Sequence, residues 1–309
     1  MAGWTAADIP DQRGRTAVVT GANSGIGYCT ARELARKGAH VVLACRDESR
    51  GKAAEARIGE EVPGAEVELS VLDLADLASV RDFAERYGRS GREGLDLLVN
   101  NAGVMALPYR RTADGFETQF GVNHLGHFAL TGLLLPKLLA RPGARVVSVS
   151  SGFHALGNVD LGDLNSERKY RRWIAYGRSK TANLLFTHEL ARRAVAAGAD
   201  LVAAAAHPGY ASTNLQTAGV RMEGRRMAER VAELANRVIA QSADAGALPA
   251  LFAATAPGVA QDAFFGPRVQ GWRGAPAPSW RAKWTLDDKS AELLWSASEQ
   301  LTGVTYEGL

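Results

Sequence analysis

The sequence predicts one α/β domain over residues 1–309, a doubly wound and mainly parallel sheet of about seven strands flanked by helices. Three observations predict it. Short apolar runs alternate with segments of helical period over most of the chain. The first such run, Ala17-Val18-Val19, passes into a glycine-rich turn that opens a helix through Ala31, Leu34 and Ala35. No Ser/Pro linker or shift in composition divides the chain, and its length suits one large domain.

The turn reads Thr20-Gly21-Ala22-Asn23-Ser24-Gly25-Ile26-Gly27. Glycines between a strand and a helix let backbone N–H groups approach a dinucleotide pyrophosphate at the helix N-terminus, as in Rossmann-type folds. The plainer reading is a helix start that is glycine-rich for packing alone. The second strand, His40-Val41-Val42-Leu43-Ala44-Cys45, ends in Arg46-Asp47. An acid at this strand end binds the ribose 2′-hydroxyl of NAD, whereas an arginine pairs with the 2′-phosphate of NADP. With Cys45 at that end and Arg46 following, NADP(H) is favoured over NAD. The opposing readings make Arg46 a solvent-facing charge or let Asp47 reach back to the ribose.

A helical stretch over 49–58 and a turn at Pro63-Gly64 lead to a third strand, Val67-Glu68-Leu69-Ser70-Val71, which delivers Asp73-Leu74. Asp73 either meets the cofactor or caps the helix over 79–87, a task Asp76 can also perform. Residues 95–99 form a buried strand ending in Asn100-Asn101-Ala102-Gly103, where small residues permit close backbone approach and amides can tie neighbouring strands. A long helix over 116–139 contains Asn123, a moderately poor helix former that calls for a local reason. The fifth strand, 145–151, is tipped by Ser150-Ser151. Tyr176 and Lys180 begin the next helix four positions apart and so share a face. A sixth strand over 201–206 leads to His207-Pro208-Gly209 and Thr213, and a charged, Ala-rich helix spans 220–241. The tail carries Trp272, Trp280, Trp284 and Trp295, with a final helix over 287–301; these tryptophans line a pocket or pack the tail onto the core.

Acidic and basic residues nearly balance, 33 against 36, giving a formal charge of +3 and no support for a nucleic-acid surface. The short basic cluster Arg168, Lys169, Arg171 and Arg172 reads as a solvated loop or a site entrance. Cys29 and Cys45 are too few for a disulfide framework and have no metal-ligand company, so buried thiols in a reducing cytoplasm are expected, and no metal. No run reaches the roughly 20 apolar residues of a spanning helix, so a cytoplasmic protein without a transmembrane segment is expected. Ser150-Ser151 is not a G-x-S-x-G elbow, which argues against a nucleophilic hydrolase.

The T-G-x-x-x-G-x-G turn, the N-N-A-G stretch at 100–103, Asn123, Ser151 and the Y-x-x-x-K pair Tyr176/Lys180, in this order, resemble the short-chain dehydrogenases/reductases. The resemblance implies hydride transfer between NADP(H) and a carbonyl or its alcohol. It makes Tyr176 the proton-transfer group, with its pKa lowered by Lys180 and by the oxidised nicotinamide. Ser151 would hold the reacting oxygen, Lys180 the nicotinamide ribose, and Asn123 a water in the proton pathway. Gly21, Asn23, Ser24, Gly25, Ile26, Gly27, Arg46, Asp73, Leu74, Asn101, Ala102, Gly103, Tyr176, Lys180, Pro208, Gly209 and Thr213 would contact the cofactor. Leu43-Ala44-Cys45-Arg46-Asp47, the Asn123-to-Phe128 stretch, the long loop over 152–175 and the tail are similar to the retinol-dehydrogenase-like branch, which implies a lipophilic or aromatic small-molecule substrate. The loop and the region 210–309 would shape its entrance. Association as a homodimer or homotetramer through the helices containing Phe116 and Tyr176 is implied as well. The rival readings are the same chemistry with NAD and a non-enzymatic dinucleotide-binding regulator.

Overall fold

Strand β1 (Thr16–Thr20) in the computed structural model, which describes residues 3–209 and 241–309, is buried on both faces. Ala17 and Val19 join one core layer and Val18 the other. Burial on both sides is why the central strands read as apolar runs, whereas the strand Val67–Val71 at the sheet's edge alternates. The chain continues through α1 (Gly25–Arg36), β2 (His40–Cys45), α2 (Glu48–Glu61), β3 (Val67–Val71), α3 (Leu77–Arg89) and β4 (Leu97–Asn100). Next come the short α4 (Thr118–Phe120), α5 (Gly126–Leu139), β5 (Ala144–Val149), α6 (Arg172–Ala196) and β6 (Leu201–Ala206). Finally come α7 (Ala243–Thr255), β7 (Ala263–Val269), β8 (Arg273–Pro278) and α8 (Asp288–Thr302).

The sheet order is β3-β2-β1-β4-β5-β6-β7-β8. Strands β1 to β7 run parallel, and β8 closes the sheet antiparallel to β7. The order reverses between β1 and β4, so the loops after those strands diverge and open a crevice at their carboxyl ends, where such folds bind ligands. One core layer joins α1, α2 and α7 to the sheet, and the other joins α3, α5 and α6, with α8 outside α6.

Two expectations shift. The predicted helix over 116–139 is broken: between α4 and α5, residues Gly121–Leu125 form a π-helical turn with Asn123 at its centre. An inserted residue of this kind is a recognised way for a helix to aim one side chain at a site. Helix α6 starts at Arg172, one turn before Tyr176, so the loop 152–175 is shorter than the sequence suggested. The predicted helix 220–241 and Thr213 lie outside the described residues, except for Gln241, whose Nε2 donates to the Pro208 carbonyl at 2.5 Å.

Candidate active site

At the crevice, Gly21 adopts φ +67°, open to glycine at little cost, and α1 begins at Gly25 behind Ser24, whose hydroxyl makes no capping bond. The first-turn N–H groups of α1 are left for an external acceptor, the arrangement that favours an anion. Close approach explains Gly27: a Cβ there would stand 2.4 Å from both Asn101 Nδ2 and the Gly21 carbonyl oxygen. Asn101 ties β4 to the turn by donating from Nδ2 to the Thr20 carbonyl (2.8 Å), as the sequence suggested for these amides.

A polar network that sequence reasoning missed holds these pieces together. The Thr20 hydroxyl accepts the N–H groups of Asn101 and Ala102, both at 2.9 Å. It donates to His127 Nε2 (2.9 Å), because His127 Nδ1 is occupied in donating to the Asn123 carbonyl (3.1 Å). Full burial pushes His127 down to about 4 and His124 down to about 3, so both rings are neutral at physiological pH. Their place four residues or fewer from Asn123 was the available signal. The Asn123 side chain bonds the Val104 backbone both ways, Oδ1 from N–H (2.7 Å) and Nδ2 to carbonyl (2.9 Å), and Nδ2 also donates to Ser179 Oγ (2.9 Å).

Helix α6 carries Tyr176 and Lys180 into the same space. Lys180 Nζ lies 5.8 Å from the centre of the Tyr176 ring and donates to the Val149 carbonyl (3.0 Å). Ser151 follows β5, and its hydroxyl, which accepts the Phe153 N–H (3.3 Å), faces the Tyr176 phenol. Burial governs both titratable groups: it pushes Tyr176 up to about 12, offset in part by the Ser151 hydroxyl, and Lys180 down to about 8. Among the protein's own groups, desolvation of the phenolate is thus the larger influence on Tyr176, and the lowering expected from Lys180 together with the oxidised nicotinamide belongs to the nucleotide complex. An ammonium has three donors, and one is satisfied by Val149. Gly103 faces it closely: a Cβ there would stand 3.1 Å from Asn123 Oδ1 and 3.4 Å from Nζ, tighter than ordinary contact. This pocket of unspent donors beside an unobstructed backbone fits the ribose of a nicotinamide nucleotide.

At the other end of the crevice, Arg46 is exposed and without a hydrogen bond or ion pair to another described residue. Asp47 is engaged: it caps α2 through Arg50 N–H (3.0 Å) and pairs with the Arg50 guanidinium (3.7 Å). Cys45 is buried, its thiol facing the N–H groups of Ala22 and Asn23 under the turn. Asp76 takes the cap of α3, and Asp73 instead accepts the Ala75 N–H (2.9 Å), with Leu74 buried beside it. Pro208 and Gly209 follow β6 at the sheet's carboxyl edge.

Beyond Tyr176, the rings of Phe153 and Trp173 continue outward. Phe153 meets Tyr176 edge-on at 5.8 Å and stacks on Trp173 at 5.2 Å. Trp173 opens onto a cleft of about 550 Å³ lined by Pro108, Tyr109, Tyr170, Arg171, Arg172 and Ile174. The Tyr170 hydroxyl donates to the Leu107 carbonyl (2.7 Å) and so fixes the loop 152–175 against the β4 side of the crevice. Among the tail tryptophans, Trp295 packs in the core, Trp272 and Trp280 are exposed, and Trp284 approaches Thr181 Oγ1 at 3.5 Å.

Glycine turn, Asn101, Asn123, Ser151, Tyr176 and Lys180 thus converge on one crevice of a doubly wound sheet, the architecture of a nucleotide-dependent oxidoreductase. The chain belongs to the short-chain dehydrogenase family, whose profile matches residues 15–224. It is 42% identical to human retinol dehydrogenase 12 over 296 residues, 95% of this chain and 88% of that one. With the mouse enzyme of that name it shares 51% over 196 residues, 63% of this chain and 61% of the mouse protein. An uncharacterised protein from Mycobacterium paratuberculosis has a crystal structure that is similar over 99% of both chains, with TM-score 0.82 and 47% identity. A short chain dehydrogenase from Escherichia coli CFT073, solved with NADPH, is similar over 70% of this chain and 85% of that one, with TM-score 0.56 and 26% identity.

Among the described residues, no helix is long and apolar enough to cross a membrane.

Proposed function

We propose that this protein transfers hydride reversibly between NADP(H) and a lipophilic or aromatic ketone or aldehyde and its alcohol. The observation that carries the reading is the placement of the buried Tyr176 phenol, facing the Ser151 hydroxyl, on the helix turn that holds Lys180, whose Nζ lies 5.8 Å from its ring centre. The bound nicotinamide supplies or accepts the hydride. The chain's own residues handle the proton. A neutral phenol is the form that donates to a carbonyl oxygen, and the Ser151 hydroxyl holds that oxygen within its reach. Lys180 spends its remaining donors on the nicotinamide ribose, and Asn123 fixes the backbone of Val104 beside it. The turn over 21–27 takes the pyrophosphate, and Asp73, Leu74, Asn101, Ala102, Gly103, Pro208, Gly209 and Thr213 line the cofactor.

The NADP preference rests on Arg46, an exposed guanidinium at the end of β2 where Asp47 is already spent on its helix. Phosphate-bearing NADPH in the Escherichia coli relative supports it. The substrate reading rests on the aromatic series Tyr176, Phe153 and Trp173 leading to the cleft beside the loop 152–175, and on the similarity to retinol dehydrogenases. The cleft and the C-terminal region 210–309 form the substrate side. Free, buried cysteines support a reducing compartment such as the cytoplasm. Association through α5 and α6 is disfavoured, since both helices are enclosed by the chain itself.

The test follows oxidation of NADPH and NADH in parallel against carbonyls ranging from small aldehydes to aromatic, steroidal and retinoid compounds. Turnover selective for NADPH is expected. Arg46→Ala should weaken NADPH by about tenfold or more while leaving NADH nearly unchanged. Tyr176→Phe should retain NADPH binding and lose about 100-fold or more of turnover. Equal use of the two nucleotides before and after the arginine change would defeat the phosphate reading, and undiminished turnover in the phenylalanine variant would defeat the proton-transfer assignment.

A further inference from the structure

Two buried histidines with no part in the proposed proton transfer flank the crevice, and both reach the same C-terminal segment. His154, three residues past Ser151, donates from Nδ1 to the Ser151 carbonyl (2.7 Å) and accepts the Ala282 N–H at Nε2 (3.1 Å). A carbonyl against one nitrogen and an amide N–H against the other admit a single neutral tautomer. His207, directly before Pro208-Gly209, is wired in the opposite sense. Its Nδ1 accepts the Gly209 N–H (3.2 Å), so Nε2 carries the proton and donates to Ser279 Oγ (2.8 Å). Phe264 lies against both rings, with centroids 5.8 Å from His154 and 5.2 Å from His207. The fit is tight: a Cβ on Gly266 would stand 1.9 Å from His207 Nε2.

The same segment also reaches the catalytic helix. Thr181, the residue after Lys180, shares its hydroxyl proton between the Gly157 carbonyl (2.7 Å) and the His154 carbonyl (3.0 Å), and Trp284 approaches that hydroxyl. Outside the crevice the segment is held at two points. Ser279 N–H donates to the Phe264 carbonyl (2.8 Å), and Arg281 forks onto Asp262.

We propose that residues 279–284 form a strap that sets the Ser151 loop, the Pro208-Gly209 loop and the Lys180 helix against one another, with His154 and His207 as its positioning residues. Each histidine spends one nitrogen on a site loop and the other on the strap. The two loops thereby acquire a common reference on an element that contributes no group to the reaction. Reacting groups tolerate little displacement, a misplacement of about 1 Å costing about 100-fold in rate. His154 therefore governs the Ser151 hydroxyl and with it turnover, and His207 governs the backbone over the nicotinamide and with it cofactor affinity. The turnover part of this inference rests on the proposed reaction; the affinity part does not.

The test uses the full-length protein and two variants. Ser279→Ala removes only the hydroxyl that receives the His207 proton, and His154→Phe keeps a ring while removing both of its bonds. NADPH affinity by fluorescence titration, kcat and KM with an aromatic aldehyde, and melting temperature are measured for each. Ser279→Ala should weaken NADPH by about fivefold with kcat within about twofold. His154→Phe should lower kcat by about tenfold or more with NADPH affinity within about twofold, and His154→Asn, which retains a donor toward Ser151, should recover part of the loss. Lower melting temperatures with kcat and NADPH affinity unchanged would overturn the proposal and leave a purely structural tie. Should His154→Phe fail to fold, Ser279→Ala, at a half-buried position, decides by its NADPH affinity. Failure of the proposed reaction shows separately, as a wild-type protein that binds NADPH and reduces no carbonyl; the strap then stands or falls on the Ser279→Ala titration.

Discussion

Lys180 is enclosed by protein and, among the described residues, is bonded to one carbonyl and has no carboxylate beside it. Its folded pKa near 8 lies below the ordinary 10.5, so the unfolded chain binds more protons between those values and stability rises with pH across that window. Below about 8 the whole cost of burying the ammonium is present. Lys180→Met is accordingly expected to stabilise the fold at pH 7 by about 1–3 kcal/mol, with the gain shrinking above pH 10, while abolishing turnover. Melting curves at the two pH values check it; a loss of stability at pH 7 would show that the Val149 bond outweighs desolvation. On the proposed reaction, the same titration should set the alkaline limit of carbonyl reduction. Carbonyl reduction should fall as pH rises through about 8, because the site loses the cation beside its neutral phenol. At this scale the sequence disclosed residue types and spacing. It could not disclose the sign of the Tyr176 shift, which depends on how completely the fold excludes water, nor the Thr20–His127–Asn123 relay, whose partners lie up to 107 positions apart.

Helix α6 is tied to the chain's distant parts by a charged cluster. His188 Nδ1 meets Asp262 (2.7 Å) and Nε2 meets Asp288 (2.8 Å), and Arg281 also binds Asp262. The Asp262 hydrogen bond, followed by that of Asp288, holds His188 above its ordinary 6.5, against desolvation. A raised histidine contributes stability that is complete below pH 6.5 and is lost as pH climbs through the folded value. His188→Gln should therefore lower the melting temperature more at pH 6 than at pH 9, and equal losses would count against a charged histidine. Strands β1, β2 and β4 to β6 were legible because runs such as Val41 to Cys45 are covered on both faces and end at glycine or polar turns, and β3, at the sheet's edge, because it alternates. β7 and β8 were not: Ala263–Val269 and Arg273–Pro278 contain Gly266, Pro267, Gly274, Pro276 and Pro278, which argue locally against a strand, and pairing at the sheet's edge overrides that preference. The π-helical turn was half-legible, since Asn123 signalled an irregularity without giving its form.

The whole molecule encloses its two central helices. Trp295 of α8 stacks on Phe186 and meets Phe128 edge-on (5.1 Å), and the Tyr306 hydroxyl donates to the Phe128 carbonyl (2.7 Å). No residue of α6 between Ala175 and Ala191 is exposed, and on α5 exposure begins only at Pro136. Neither helix has a free face to offer a second copy. Light scattering on the purified protein should thus give the same mass before and after substitutions on α5 or α6, and a dimer disrupted by them would contradict this. Trp295→Ala should destabilise by about 3–5 kcal/mol. The outermost strand, β8, has a bearing on solubility. Ser279 N–H points inward to β7, so the alternate positions 278 and 276 turn outward, and both are prolines with no N–H to give. The sheet therefore ends in a margin with two of its outward N–H groups removed, and replacing both prolines with threonine should make it more prone to pair with other chains, seen as lower solubility.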